Sequence, residues 1–178
     1  MRSATLQASA QSAAPAMPEP GGAHRQYLRF ALGDACYAVS IDNVREILQV
    51  DTMTAVPLMP GFMRGVMNLR GAVVPVVNLS ERLGLHESTL GRRSCVVIVD
   101  VVDEEADTSS VIGIVVDAVF EVFELAALEP APAFGTAIAA AHIAGMARTD
   151  QQVLAVLDLD RVLAIEELSQ LVARHIGH

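Results

Sequence analysis

Histidine and clustered acidic residues are the side chains of this chain that could hold a metal ion. The five histidines lie far apart, and neither an HExxH motif nor a cysteine–histidine pair at zinc-ligand spacing occurs. The longest acidic run, DEEAD at 103–107, is typical of a solvated loop. The sequence therefore predicts no metal site.

The two cysteines and the serines give no sign of nucleophilic catalysis. Cys36 and Cys95 are isolated in apolar surroundings, without a CxxC spacing or a neighbouring base, which is typical of reduced thiols in a core. There is no GxSxG motif, and no glycine-rich loop opens a helix to hold phosphate. We expect no catalytic residues and no cofactor, although a small enzyme with a site assembled from distant residues would escape a search by motif.

The charge of the chain limits its partners. All 12 basic residues are arginine, and 21 acidic residues bring the formal net charge to -9. Because neutralising phosphate needs clustered cations, we expect no nucleic-acid surface. The N-terminal residues lack the apolar stretch of a signal peptide, and no run approaches the roughly eighteen apolar residues of a membrane helix. These patterns predict a cytoplasmic protein that does not insert into the membrane.

The elements that would position a site follow from the hydrophobic pattern. Residues 1–25 are rich in Ala, Ser, Pro and Gly and are predicted to be disordered. From Gln26 apolar and polar residues alternate, and Gly33-Asp34 turns the chain, which predicts a β-hairpin. Ser40 begins a segment with apolar residues at helical spacing, so 40–50 is expected to form a short helix or helical turn.

Short strands with frequent turns follow and predict barrels or a sandwich, with helices as minor parts. The expected strands are 54–58, 62–69, 72–79, 94–102 and 111–116, with an acidic loop at 103–110 and a last hairpin at 143–159. One C-terminal helix is expected at 160–176, with four apolar residues on its buried face: Val162, Ile165, Leu168 and Leu171.

Two overlays indicate an internal repeat. Residues 65–79 match 145–159 without a gap at an offset of 80, and 41–47 match 116–122 at an offset of 75, which implies an insertion of about five residues. Valine-rich hairpins can resemble one another by chance, but the ordered pair of overlays favours a duplication. Two small barrels packed together would leave a groove that suits binding better than catalysis.

The hairpin GVMNLRGAVVPVVNL at 65–79 differs from its repeat partner at two positions. Arg70 and Pro75 occur only in the first copy, where the second has Asp150 and Ala155. Proline lacks an N–H, so Pro75 is expected at an edge or bulge. A tight turn does not require an arginine, so we expect that Arg70 serves a partner.

Several segments resemble the CheW-like domains of bacterial chemosensory arrays. They are RFALGDACYAV with VREIL, VPLMPGFMRGVMNLRGAVVPVVNL, GIVVDAVFEV and GMARTDQQVLAVLDLDRVL, and they span 26–163. The resemblance implies a mainly β fold of two packed, five-stranded, SH3-like β-barrels with short helices and a C-terminal helix. The implied division is a tail at 1–25, a domain of two intertwined barrels at 26–165, and a C-terminal helix or tail at 166–178.

The resemblance also implies a function. It is that of a non-enzymatic adaptor coupling methyl-accepting chemoreceptors to the histidine kinase CheA. In that family the groove between the barrels takes the cytoplasmic tip of the receptor, and another face pairs with the kinase's CheW-like regulatory domain. Other CheW-like domains in array rings are a further expected partner, and such an adaptor is recruited to membrane-bound receptor arrays. The same role in a related pathway, twitching motility or surface sensing, is the alternative.

Seven positions carry the partner-binding role that the resemblance implies: Val44, Glu46, Gly65, Arg70, Val115, Val116 and Val119. Each of these valines could equally be a core residue. A charge has no place in an aliphatic core, so Glu46 and Arg70 are expected to approach each other on the surface.

Overall fold

The computed structural model describes residues 24–50, 53–85, 90–132, 136–150 and 152–176. The described strands are β1 (Arg25–Leu32), β2 (Ala35–Ser40), β3 (Val44–Gln49), β4 (Met63–Leu69), β5 (Ala72–Asn78), β6 (Cys95–Asp103), β7 (Thr108–Val116), β8 (Ala118–Leu125), β9 (Ile143–Arg148) and β10 (Val153–Leu157). The described α-helices are α1 (Leu79–Arg82), α2 (Leu159–Val162) and α3 (Ile165–Ile176), and Ile41–Asn43 and Ala140–His142 are 3-10 turns.

The strands form two five-stranded sheets, and each combines three strands from one half of the chain with two from the other. The sheet that we call the first barrel has the order β3-β6-β7-β5-β4, and the second barrel has the order β8-β1-β2-β10-β9. Strand β3 follows β2 along the chain but pairs with β6, and β8 follows β7 but pairs with β1. The two halves of the chain are therefore intertwined, and the predicted fold class is confirmed.

The backbone repeats its irregularities along with its strands, which confirms the duplication. A bulge falls beside Gly65 in β4 and beside Gly145 in β9. Next to each bulge, Thr54 in the first repeat and Glu129 in the second exchange two backbone hydrogen bonds of 2.7–2.9 Å with the bulged strand. Thr54 precedes Gly65 by 11 residues and Glu129 precedes Gly145 by 16, so the five extra residues lie in that connection.

Three apolar clusters hold the two barrels. The largest joins both sheets and includes Phe30, Ile114 and Leu163. Each barrel also has a small interior of its own, around Val76 in the first and around Val156 in the second. Full burial of one such aliphatic side chain stabilises the fold by roughly 1.5–3 kcal/mol, so the shared central cluster binds the halves together.

Two of the local predictions near the start of the domain are wrong. Ser40 does cap a turn by accepting from the Asp42 N–H at 3.2 Å, but only 41–43 is helical, and 44–49 is strand β3. Its residues alternate between half-buried and exposed, since pairing with β6 imposes a period of two. The expected strand at 54–58 is reduced to a single bridge from Thr54 to β4.

The later elements also differ from the expected bounds. Strands β6 and β7 extend to Asp103 and from Thr108, so the acidic loop is only the four-residue turn 104–107. The C-terminal segment is two helices rather than one, because α2 ends at Val162 and α3 begins at Ile165. Three of the four residues predicted for its buried face pack on the central cluster, whereas the side chain of Leu171 lies outside the described part. The predicted tail is outside the described residues up to position 23, and β1 begins at Arg25.

Candidate partner-binding face

Arg70 and Glu46 form a bidentate ion pair at the end of the first barrel that carries the turn between β4 and β5. We call this end, and the equivalent end of the second barrel, the open end. The two guanidinium nitrogens Nη1 and Nη2 of Arg70 donate to the two carboxylate oxygens of Glu46 at 2.5 and 3.0 Å. The Arg70 side chain is 74% exposed and that of Glu46 is 24% exposed. The predicted approach of these two charges is confirmed, and a bidentate geometry fixes the orientation of both side chains.

The turn that carries Arg70 does not favour an arginine. Arg70 and Gly71 link β4 to β5 as a two-residue loop and have φ values of 54° and 88°, so both adopt left-handed backbone. The Asn68 side chain accepts from the Gly71 N–H at 2.8 Å and stabilises the turn. Left-handed backbone costs a non-glycine residue about 1–2 kcal/mol, so a role outside the turn must explain Arg70.

The electrostatics of the pair follow from its hydrogen bonds. Hydrogen bonds from Arg70 lower the pKa of Glu46, and the same bonds raise the pKa of Arg70. Because exposed pairs contribute only about 0–1 kcal/mol to stability, this one does little to hold the fold. Neighbouring Arg45 is occupied elsewhere, with its Nε 3.2 Å from an Asp100 carboxylate oxygen. The pair therefore forms a rigid charged feature that is available on the surface.

The predicted valines divide into two groups. Val115 and Val116 are 2% and 0% exposed, since β7 is a central strand covered on both faces, so neither side chain reaches a partner. Val44 and Val119 are half-buried against the central cluster and occupy the same place in the two repeats. A direct contact with a partner is therefore open to Val44 and Val119 but not to the other two.

Gly65 has a structural reason of its own. Its φ of 147° lies in a region that L side chains rarely adopt, and a Cβ there would lie 2.5 Å from the Thr54 carbonyl oxygen. At the equivalent Gly145, a Cβ would lie 3.0 Å from the Glu129 carbonyl oxygen. Because neither glycine has a side chain, the segment at Thr54 or Glu129 can lie close to the bulged strand. Gly65 therefore affects the candidate face through the backbone that supports it.

Pro75 was expected at an edge or a bulge: it is not on an edge strand, because β5 lies between β7 and β4, but it lies next to the bulge at Met63–Gly65, which begins opposite Val76. Its partner in β4 is Val66, whose N–H and C=O both bond to Thr54 and so face away from β5. Residues directly opposite each other in an antiparallel pair point their backbone polar groups either both toward the partner strand or both away from it, so the Pro75 nitrogen faces away from β4. Pairing with β7 begins only at Val76, and the missing N–H therefore breaks no bond in the ladder.

A second ion pair, at the open end of the second barrel, was missed from the sequence. Arg29 Nε and Nη2 donate to the two carboxylate oxygens of Glu121 at 2.6 and 3.1 Å, and the Arg29 guanidinium also lies 4.6 Å from the centre of the Phe120 ring. Glu121 is the repeat partner of Glu46, as the overlay of 41–47 on 116–122 indicates. That overlay was the signal that could have revealed the second pair.

Exposed aliphatic residues also occur in repeat-related pairs. Ile47 in β3 corresponds to Val122 in β8, and Val73 in β5 corresponds to Val153 in β10, and all four are exposed. Exposed apolar groups beside a rigid ion pair are typical of protein-binding surfaces. Among the described residues, no group of three or more His, Cys, Asp or Glu could hold a metal ion. None of the helices in that part of the chain is long and apolar enough to cross a membrane.

Residues 26–167 match the family model of the CheW-like domain. The chain belongs to the CheW family. It is 30% identical over 147 residues to the chemotaxis protein CheW of Klebsiella aerogenes, covering 82% of this chain and 85% of that protein. It is also 30% identical over 155 residues to the protein FrzA of Myxococcus xanthus, covering 85% and 89%.

The fold agrees with that of a solved CheW structure. The crystal structure of the scaffolding protein TtCheW from Thermoanaerobacter tengcongensis matches with a TM-score of 0.70 and 27% identity, over 85% of this chain and 94% of that one. The chain is therefore a CheW-family scaffold of the chemotaxis class, as its resemblance indicated.

Proposed function

We propose that this CheW-family protein is a non-enzymatic adaptor that couples methyl-accepting chemoreceptors to the histidine kinase CheA. The observation that carries the proposal is the exposed, bidentate Arg70–Glu46 pair, held by a turn that has no need of an arginine. Membership of the family supplies the class of partner. An adaptor of this kind acts in the cytoplasm, where it is recruited to receptor arrays at the membrane.

Coupling requires two surfaces on one small protein. We assign the receptor tip to the surface between the barrels, where half-buried Val44 and Val119 meet the central cluster. The kinase's regulatory domain, itself CheW-like, pairs with an outer barrel face, and other CheW-like domains take equivalent places in array rings. Each interface is modest in size, so several weak contacts build a stable array through multivalency.

The Arg70–Glu46 pair gives the outer face its specificity. Its small contribution to stability means that either side chain can be changed while the fold is retained. Charged groups at the edge of an interface select the correct partner and its orientation more than they add affinity. The bidentate geometry presents the remaining guanidinium N–H groups in a fixed direction, which suits recognition of an acceptor on the partner.

The similarity to FrzA favours a second candidate within the same class. The protein would then serve as an adaptor in a related pathway, such as twitching motility or surface sensing. The two candidates share the binding surfaces and differ in the receptor and the output. Capture of receptor fragments from one pathway and not the other separates them.

Charge reversal of Arg70 tests the proposal. Arg70→Glu should weaken capture of the receptor fragment or of the CheA regulatory domain by about tenfold or more, with no loss of fold. Arg148→Glu is the matched control, because Arg148 makes a similar exposed bidentate pair with Glu129 at 2.6 and 3.0 Å. Unchanged capture of both partners by Arg70→Glu would contradict the proposed role of the pair.

A further inference from the structure

The two barrels have equivalent interiors but different open ends. Leu48 and Val96 line the first interior, and Phe123 and Tyr27 occupy the same places in the second. In β8 and β1, Val119 pairs with Phe30 and Val122 with Leu28, so Arg29 lies opposite the bulge that contains Glu121. In the first barrel the corresponding residue opposite Glu46 is Ile98, which is fully buried. Arg29 thus replaces a core residue at the open end of the second barrel.

The hairpin tips differ in the same sense. At the first open end, Leu69 packs against the barrel interior and Arg70 reaches across to Glu46. The equivalent residues of the second repeat are Thr149 and Asp150. The second tip therefore has a hydroxyl group where the first has a packed apolar side chain, and an anion where the first has a cation.

A groove results at the open end of the second barrel. It has a volume of about 220 Å³ and is lined by Arg29, Glu121, Phe123, Thr149, Asp150 and Gln152. Two described residues of the tip on its far side are linked, because the Thr149 N–H donates to the Gln152 carbonyl at 2.9 Å and the Gln152 N–H donates to the Thr149 hydroxyl at 3.2 Å. The groove therefore lies between the tip and the Arg29–Glu121 pair.

The charge in this groove is unbalanced. Arg29 occupies both carboxylate oxygens of Glu121, while Asp150 is exposed and makes no ion pair with any described residue. The net charge of the three groups is therefore negative. In the first barrel, by contrast, the tip residue Arg70 itself forms the ion pair with Glu46.

We propose that this groove binds an arginine or lysine side chain of a partner protein beside Asp150, the residue that corresponds to Arg70 of the first barrel. The incoming cation bonds to Asp150 and to the outer face of the Glu121 carboxylate, and its aliphatic stem lies along the Phe123 ring. The partner then supplies a cation at the tip of the second barrel, where the chain itself supplies Arg70 in the first barrel. This inference rests on the proposed function, since the partners are the receptor fragment and the CheA regulatory domain.

The experiment uses the full chain with Asp150→Arg, which fills the groove from within, and Asp150→Asn, which removes its charge. Capture of one partner should fall about tenfold with Asp150→Arg and by a smaller factor with Asp150→Asn, while capture of the other partner stays unchanged. Glu105→Arg makes the same change of charge in the exposed turn between β6 and β7 and should leave both affinities as they are. Raising the salt concentration should weaken the wild type more than Asp150→Asn.

The outcomes separate this inference from the proposed function. If the wild type captures both partners and Asp150→Arg does so equally well, or if Glu105→Arg weakens capture as much, the groove is not a binding site. If the wild type captures neither partner, the proposed function fails and the assignment of this groove fails with it. Circular dichroism and the unfolding midpoint of each variant identify any loss that is due to misfolding.

Discussion

Arg82 Nε donates a 2.8 Å hydrogen bond to the carbonyl oxygen of Val162, the residue that occupies the same place as Arg82 in the second repeat. A second bond of 2.9 Å joins Arg82 Nη2 to Glu167 in α3. The Arg82 side chain is 8% exposed. The two short helices that follow the repeated hairpins therefore meet through one buried arginine, which holds the halves of the molecule together.

Replacing Arg82 should destabilise the protein without touching the proposed binding faces. Arg82→Met keeps the aliphatic stem but leaves the Val162 carbonyl without its donor, which should cost about 1–3 kcal/mol in the free energy of unfolding. Urea denaturation measures this. Arg161→Met is the control, since that side chain is 68% exposed and pairs with Asp158 at 3.7 Å in an i,i+3 arrangement, and it should change stability by less than about 0.5 kcal/mol. Equal effects of the two changes would contradict a clamp at Arg82.

Alanine at Gly65 should affect binding only through folding. A Cβ would lie 2.5 Å from the Thr54 carbonyl oxygen, so Gly65→Ala should cost about 2–3 kcal/mol. Gly71→Ala is matched in positive φ but meets nothing within 4 Å, and should cost about 1 kcal/mol. Thermal or urea unfolding compares them, and similar losses would show that the close approach of Thr54 is unimportant.

The pair of Arg70 and Glu46 predicts a direction for pH dependence. Hydrogen bonds from Arg70 lower the pKa of Glu46 below its ordinary value of 4.5. The stabilising contribution is therefore complete above pH 4.5 and is lost as the pH falls through the lower pKa of the folded state. Arg70→Ala should return the pKa of Glu46 toward 4.5 in an NMR titration of its carboxyl carbon. An unchanged titration would mean that the pair does not form in solution.

Exchanging the charges of Glu46 and Arg70 distinguishes a pair that holds the shape of the binding face from an Arg70 side chain that contacts the partner directly. If the pair holds the face in shape, Glu46→Arg combined with Arg70→Glu should recover part of the partner capture that each single change loses. The affinities of the four proteins form a double-mutant cycle. A double variant that binds no better than the weaker single variant would mean that the partner contacts Arg70 itself and that the pair has no separate role.

The hairpins could be predicted from the sequence because their signals are local. The repeat could be predicted because residue identities recur at a fixed offset. Alternation over 26–32 and 72–79, and the turn residues between strands, depend only on neighbouring positions. The pairing of β3 with β6 and of β8 with β1 could not be predicted, since it joins segments that are distant in the sequence. The segment 41–50 shows the limit: its apolar residues fit a helical spacing, but pairing with β6 imposes a strand.

The candidate site was predictable in part for the same reason. Glu46 and Arg70 stand out because charges in an aliphatic segment need a surface or a partner. Val115 and Val116 were misplaced because a central strand is buried on both faces, which a run of valines does not reveal. Arg29 was missed because its role depends on the pairing of β1 with β8, where it replaces an apolar residue of the other repeat.

Reconstituted kinase activity measures the proposed coupling of receptor to kinase. A receptor fragment and CheA are combined with and without this protein, and phosphorylation is measured with and without the receptor's ligand. We expect kinase activity to respond to the receptor only when the protein is present, and we expect Arg70→Glu to abolish or weaken that response while Arg148→Glu preserves it. Kinase activity that does not change when the protein is added, together with the absence of a ternary complex on co-sedimentation, would contradict the proposed coupling.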